Sequence, residues 1–167
     1  RGFGDLLEIG DQRRPDLFAL QHRKPAALYR SVVEVPARLD RDGKVLDPLD
    51  LDSPEFRRQV EAFLNSGIRT AAVSLIHSYE NPEQELELKR FLLECGFNHV
   101  SASAELAPLI KLLPRTRTAV VNAYLQPVMQ TFLDDVASSL GEATPVFTMT
   151  SAGGLEPSEI YQPKDSL

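Results

Sequence analysis

Apolar residues recur along this chain in two rhythms, and the alternation between them predicts its elements. Phe56, Val60, Phe63 and Leu64 fall at i, i+4, i+7 and i+8, one stripe of a helix. Ser53-Pro54-Glu55 supplies a start for it: a capping hydroxyl, proline at the first position and an acid in the first turn. Gly67 is placed to end it in the left-handed region. Thr70 to Ile76 is then almost continuously apolar, the pattern of a buried strand in a parallel sheet. The cycle repeats. Asn81-Pro82-Glu83-Gln84 reads as a helix start, with Asn81 accepting from free backbone N–H groups and Gln84 at the capping-box position. Leu88, Phe91, Leu92 and Cys95 form its buried stripe, Gly96 ends it, and His99 to Ser103 is the next strand.

A third helix is expected from Pro114 to Leu140, with Val121, Leu125, Val128, Phe132, Val136 and Leu140 on its apolar face. Pro127 lies inside it and clashes with the carbonyl of Ala123, so a kink is expected there, beside Asn122 and Tyr124. Pro145 to Thr150 reads as a further strand. Ahead of these cycles, Ser31 to Leu39 and Lys44-Val45-Leu46 read as an edge hairpin around Asp42-Gly43, with Pro36 demoting the first strand. Arg13 to Pro25 reads as a surface connection, pinned by Leu17, Phe18 and Leu20. The sum is an α/β protein: alternating strands and helices around a mixed, largely parallel sheet.

Composition narrows the class. The chain has 167 residues, 43% hydrophobic and 25% charged, the balance of a globular domain. Its net charge of −6 argues against a nucleic-acid surface. No apolar run approaches the roughly 18 residues of a spanning helix, and no secretory leader is visible, so no membrane partner is expected. A single cysteine, Cys95, fits a reducing compartment such as the cytoplasm.

The glycine-rich phosphate loop, the dinucleotide fingerprint and metal-binding Cys/His spacings are all missing from the sequence. His77 follows the first buried strand, with the Ser78 and Tyr79 hydroxyls beside it; open α/β sheets bind ligands past the carboxyl ends of their strands. The alternative is a histidine that ties the loop to the next helix. Glu105 stands past the next strand. Arg115 and Arg117 oppose the dipole at the start of the long helix, which calls for a carboxylate or phosphate partner, either a ligand or a local acid. Ser151-Ala152-Gly153-Gly154 offers backbone N–H groups after the last strand, or simply a turn. Asp47, Asp50 and Asp52 read as a solvated loop, since the glycine and distal Glu of a calcium hand are missing.

Laid out in order, these segments resemble one family. The residues are Arg1-Gly2-Phe3 with Asp5-Leu6-Leu7-Glu8-Ile9-Gly10; Arg14-Pro15-Asp16-Leu17-Phe18; Leu75-Ile76-His77-Ser78-Tyr79 with Asn81-Pro82 and Glu85; Val100-Ser101 with Ser103 and Glu105; Arg115-Thr116 with Thr118; Val121 to Met129; and Ser151 with Gly153-Gly154-Leu155. Together they resemble the hydantoinase A/5-oxoprolinase family, ATP-dependent hydrolases of cyclic amides. Gly96-Phe97, His99-Val100-Ser101 and Leu113-Pro114-Arg115 lean toward the 5-oxoprolinase branch, with N-methylhydantoinase A the runner-up.

The resemblance implies a two-lobed fold like actin, Hsp70 and the sugar kinases, with ATP and a divalent metal, Mg in the first place, in the cleft. It implies conversion of 5-oxo-L-proline to L-glutamate, by phosphorylating the ring carbonyl oxygen and displacing phosphate with water. It implies partners too: a small cyclic amide, the remaining lobes or a hydantoinase B-type half, and a homo-oligomeric parent. The cleft positions it implies are His77, Tyr79, Glu105, Arg115, Asn122, Tyr124, Ser151, Gly153 and Gly154. Glu105 or His77 would position water as general base. Arg115 would hold a substrate carboxylate, and Asn122 with the Gly153-Gly154 amides would bind the ring amide or its oxyanion. The resemblance divides the chain into residues 1–113, ending the N-terminal domain, and 114–167, opening the hydantoinase A domain.

The family's Asp-x-Gly-Gly-Thr-x-Thr-Asp and Ser-Gly-Pro-Ala-Gly-Gly loops are absent from the sequence. The chain is therefore expected to be an excised piece that is inactive by itself. Two alternatives stay open: a ketone-carboxylase subunit of the same architecture, and a binding or assembly module that dimerises through the long helix.

Overall fold

The computed structural model describes residues 2–11, 16, 18–21, 26–141 and 144–166. A short helix α1 (Leu6–Ile9) precedes a small hairpin, β1 (Arg38–Leu39) and β2 (Val45–Asp47). Then come α2 (Pro54–Asn65), β3 (Thr70–Val73), α3 (Glu83–Cys95), β4 (His99–Ala102) and α4 (Ser103–Leu106). A 29-residue helix α5 (Leu112–Leu140), a second hairpin β5 (Phe147–Met149) and β6 (Leu155–Pro157), and a 3₁₀ turn (Pro163–Ser166) complete the described chain.

The α/β reading holds, and β3–α3–β4 is its centre. Thr70 lies opposite His99 and Val73 opposite Ala102 in a parallel ladder. Strand alternation gives this pair two unlike faces. On one, Val73 and Val100 join Phe56, Val60, Leu88, Leu92 and Phe97 in an apolar cluster under α2 and α3. On the other, α5 lies across both strands with its small or polar Ala119, Asn122 and Ala123 buried, and Asn122 reaches Ser101 of β4.

Two sequence expectations about strands are corrected. The strand Ser31 to Leu39 is reduced to Arg38–Leu39. Pro36 cannot donate to a ladder, and Glu34 turns instead to the N-terminal loop. Its Oε1 accepts from Gly2 N, Phe3 N and Gly4 N at 2.6, 2.8 and 2.9 Å. The hairpin survives with a wider turn, closed by Asp40 Oδ1, which accepts from Asp42 N at 2.9 Å and Lys44 N at 2.8 Å. Gly43 belongs there on two counts. Its φ is +77°, and an added Cβ would meet the Asn81 Cβ at 3.1 Å.

The sheet is also less parallel than expected. The strand expected at Pro145 to Thr150 does not extend β3–β4 but folds back on β6, with Met149 opposite Leu155 and Phe147 opposite Pro157. Among the described residues the strands form three two-stranded ladders, one parallel and two antiparallel. The Ser151 to Gly154 turn reverses the chain, so β5 finds a local partner.

The long helix corrects a third expectation. It runs from Leu112 through Pro127 to Leu140 as one element. Its buried positions are Arg115, Ala119, Asn122, Ala123 and Leu133, not the apolar face read from the sequence. Tyr124, Val128 and Phe132 are 55%, 70% and 58% exposed. The helix turns small and polar side chains toward β3–β4 because hydrogen-bonding partners lie there. Phe18 and Leu20 are likewise fully exposed and pin nothing, while Leu17 lies outside the described residues.

Smaller ties hold the α3 end. Asn81 Oδ1 accepts from Glu83 N at 3.1 Å, as an Asx cap does. Gln84 makes no capping box; its Nε2 donates to Asp47 O at 3.1 Å and joins α3 to the first hairpin. Asp52 pairs with Arg57 at 2.6 Å.

Leu88 sits at the centre of the apolar cluster. Leu88→Ala should lower the unfolding free energy of the chain by about 2–5 kcal/mol, read from urea melts. A second expectation concerns pH. Donation from Phe3 N–H, then from Gly2 and Gly4, holds the Glu34 carboxyl below its ordinary value, although desolvation by its neighbours opposes this. The contact is therefore fully present above the unfolded pKa and is lost as pH falls through the lower folded value. Amide exchange at Gly2 to Gly4 should accelerate on that acid side, and a flat acid profile would refute the tie.

Candidate functional site

The site begins with two residues that burial should forbid unless they meet. Glu85 and Arg115 are each 0% exposed. Glu85 lies in the first turn of α3, and Arg115 in the first turn of α5. Glu85 falls on the same buried stripe as Leu88 and Leu92, so folding α3 onto the sheet carries a carboxylate inward. A lone buried charge of either sign would cost several kcal/mol.

Every oxygen of Glu85 is answered. Oε2 accepts from Leu75 N at 3.0 Å, from Ser78 Oγ, and from Arg115 Nη1 at 3.5 Å. Oε1 accepts from Ala104 N at 2.8 Å. Arg115 Nη1 also donates to Ser78 Oγ and to Ser103 Oγ, the latter at 2.9 Å, and Nη2 donates to Leu75 O at 2.9 Å. Ser103 donates to Ser74 Oγ at 3.0 Å, and Ser74 meets Thr116 Oγ1 at 2.7 Å. Burial pushes the Arg115 guanidinium below its ordinary value, and the Glu85 carboxylate opposes that shift. The guanidinium stays charged.

Of the two partners open to Arg115, the structure shows the local acid: the guanidinium is sealed from solvent and meets Glu85 and other protein groups. Asn122 is likewise engaged by protein groups. Its Nδ2 donates to Ser101 Oγ at 3.0 Å and Gln162 Oε1 at 3.2 Å, and its Oδ1 accepts from Lys164 N at 2.9 Å. Both ends of the amide are spent on tying the C-terminal turn to β4. Arg117 also finds an acid, Asp11, at 3.2 Å.

The Gly153-Gly154 amides are engaged as well, and the plain turn is what forms. Gly153 N donates to Thr150 O at 2.9 Å, and Gly154 N donates to Thr150 Oγ1 at 3.1 Å. Ser151 N donates to Asp165 O at 2.7 Å. The turn holds itself together through these bonds.

His77 lies in the loop after β3, with φ at +61°, the one non-glycine residue in the left-handed region among those described. A residue with a Cβ takes that conformation at a cost, and such strain collects at functional positions. Its carbonyl accepts from Glu80 N at 3.0 Å and Asn81 N at 3.4 Å, so the loop is tied down by backbone. Its Nδ1 is buried without a hydrogen-bond partner, and its ring lies 6.1 Å from that of Tyr79.

Glu105 lies elsewhere, on α4, paired with Lys89. The pair borders an open groove of about 410 Å³ along β4, which Asn122 and Gln126 also line. His77, Tyr79 and Tyr124 are not among the groove's lining residues. The structure therefore gathers Glu105 and Asn122 at one groove and His77 with Tyr79 at a neighbouring loop. Sequence reasoning undervalued Glu85 and Ser103. The available signal was the Glu85, Leu88, Leu92 spacing, which places an acid on an apolar stripe.

The chain is thus an α/β unit whose parallel strand pair ends in a buried ionic network, beside a strained histidine. Comparison places it more narrowly. The family model described as "Hydantoinase/oxoprolinase N-terminal region" matches residues 1–96, and the one described as "Hydantoinase/oxoprolinase" matches residues 115–165. The chain belongs to the hydantoinase/oxoprolinase family. It is 39% identical to 5-oxoprolinase 1 of Arabidopsis thaliana over 96% of its own length and 14% of that protein. With 5-oxoprolinase of Saccharomyces cerevisiae the identity is 35%, over 93% and 14%. The crystal structure of ATP-dependent caprolactamase from Pseudomonas jessenii matches at a TM-score of 0.74 and 26% identity, over 96% of this chain and 24% of that one. Nucleotide-free acetone carboxylase shares the fold at a TM-score of 0.61, over 78% and 19%. The chain spans about 14% of the length of the two 5-oxoprolinases.

Two substitutions check these contacts. Arg115→Ala strands a buried carboxylate and should cost about 3–5 kcal/mol in a denaturant melt. Asn122→Ala should cost about 1–3 kcal/mol and speed amide exchange at residues 162–166, because it unties that turn. A wild-type melt for either variant would return these residues to the list of free ligand-binding groups.

Proposed function

We propose that this chain is the part of an ATP-dependent cyclic amide hydrolase of the 5-oxoprolinase type that forms one wall of its cleft. The parent would convert 5-oxo-L-proline, ATP and water to L-glutamate, ADP and phosphate. The observation that carries the reading is the 39% identity to a 5-oxoprolinase over 96% of this chain. Phosphorylating the ring oxygen would make the carbonyl carbon electrophilic; water would add there, the ring C–N bond would break as its nitrogen takes a proton, and a second water would release phosphate from the resulting acyl phosphate.

The residues divide by task. His77 and Tyr79, on the loop at the carboxyl end of β3, and Glu105, on α4 past β4, stand where ligands of open sheets bind. In this reading His77 or Glu105 holds the attacking water and takes its proton. Tyr124 and Ser151, at exposed positions, complete the wall. Arg115 and Asn122 hold the wall in shape. ATP and a divalent metal, Mg in the first place, would supply phosphate transfer from loops beyond these residues. Among the described residues no three His, Cys, Asp or Glu converge to hold a metal, so no step is assigned to one here.

The division of the chain near residue 114 is supported by the two family matches, 1–96 and 115–165. The parent's other lobes or a hydantoinase B-type half would be the partners, within a homo-oligomer. The free thiol of Cys95 suits a reducing cytoplasm. Among the described residues no helix is long and apolar enough to cross a membrane.

The match to caprolactamase favours a second reading in which a different lactam is opened by the same chemistry. The full-length parent should be given ATP with 5-oxo-L-proline, caprolactam, N-methylhydantoin, or acetone plus bicarbonate. Phosphate should appear in step with glutamate for 5-oxo-L-proline alone, and the isolated 167-residue chain should release none. Phosphate release with acetone and bicarbonate only would replace the hydrolase with a carboxylase, and turnover by the isolated chain would refute its role as a wall.

A further inference from the structure

We infer that Glu85 is a positioning residue that sets both candidate water-holding segments from one carboxylate. The inference rests on the hydrolase reading for its kinetic test, and on geometry alone for its structural one. The two oxygens of Glu85 point into different parts of the chain. Oε2 takes the Leu75 N–H at 3.0 Å and the Ser78 hydroxyl, which lie on either side of Ile76-His77. Oε1 takes the Ala104 N–H at 2.8 Å, the residue directly before Glu105. The loop that carries His77 and Tyr79 and the helix that carries Glu105 are therefore held by opposite edges of one fully buried group.

Arg115 completes the clamp from α5. Its Nη1 reaches the hydroxyls of Ser78 and Ser103, and its Nη2 the carbonyl of Leu75. Each segment is thus gripped by the acid and by the base. The strain at His77 follows from this arrangement. With Leu75 and Ser78 both fixed, the two residues between them have little freedom, and His77 takes φ +61°. A buried carboxylate bonded to two backbone N–H groups defines position more sharply than an apolar side chain of equal volume, because its hydrogen bonds are directional.

The pair and the clamp separate experimentally. Removing one charge strands the other, whereas replacing a buried pair by uncharged groups of similar volume is often tolerated. Glu85→Gln combined with Arg115→Met keeps the volume, removes both charges and puts an amide where both oxygens accepted. In the full-length parent this double variant should remain folded. Its kcat for lactam opening should fall by roughly 10²-fold, the scale of an ångström-sized misplacement. Its KM for ATP should hold, and phosphate released per ring opened should rise above the wild-type ratio, because a misplaced water uncouples the two steps. Hydrogen exchange should quicken together in residues 74–81 and 103–106 and stay slow in 56–64. Wild-type kcat and coupling in a folded double variant would overturn the assignment.

Should the double variant not fold, Ser78→Ala decides. It removes one hydroxyl from the clamp and should reduce kcat about tenfold with an unchanged KM for ATP; unchanged kcat overturns the assignment. A wild-type parent that opens no lactam defeats the hydrolase reading alone. In that case exchange still judges the clamp, and unchanged rates in the two segments would sink it.

Discussion

Two opposite charges with no access to water, Glu85 and Arg115, constrain the rest of this structure. Their desolvation is offset only if donors and acceptors surround them, and those partners come from β3's loop, α4, α3 and α5. No single segment supplies enough of them. The network can close only when all four are in place, which ties the register of the long helix to the parallel strand pair. An apolar contact would tolerate sliding by part of a turn; a carboxylate that takes one N–H on each oxygen does not.

The sandwich around β3–β4 is accordingly asymmetric. One face is a non-directional cluster of Phe56, Val60, Leu88, Leu92 and neighbours, which supplies most of the burial. The other face is directional, made of serines, Asn122 and the ionic pair. Burial holds the helices on the strands, and hydrogen bonds decide how accurately. The same hydrogen bonds fix the loop that carries His77 and the short helix that carries Glu105, segments outside the apolar cluster.

The outline of the fold was legible because it depends on local period and local punctuation. The stripe from Phe56 to Leu64, the stop at Gly96 and the Asx turn at Asn81, one residue ahead of the Pro82 cap, each act within a few residues, and periodicity and turn chemistry show them in the sequence. Strand partners were less legible. Nothing within Pro145 to Thr150 distinguishes a strand that joins a parallel sheet from one that turns back on Leu155–Pro157. The buried face of α5 was misread because apolar count favours Val128 and Phe132, whereas the helix is drawn in by Arg115 and Asn122.

The sequence by itself determined the alternation of helices and strands, the hairpin at Asp42-Gly43 and the family, because these are written in spacing and in the order of short motifs. It also offered Arg115, Asn122, His77 and Glu105 as candidates. Only the tertiary structure decided which groups they meet. Arg115 had two candidate partners, a ligand and a local acid, and the choice fell to the acid once α3 carried Glu85 to within 3.5 Å. The physical reason is that a buried charge takes its role from whatever reaches it in three dimensions, and here the groups that reach Arg115 lie 12 to 40 residues away along the chain.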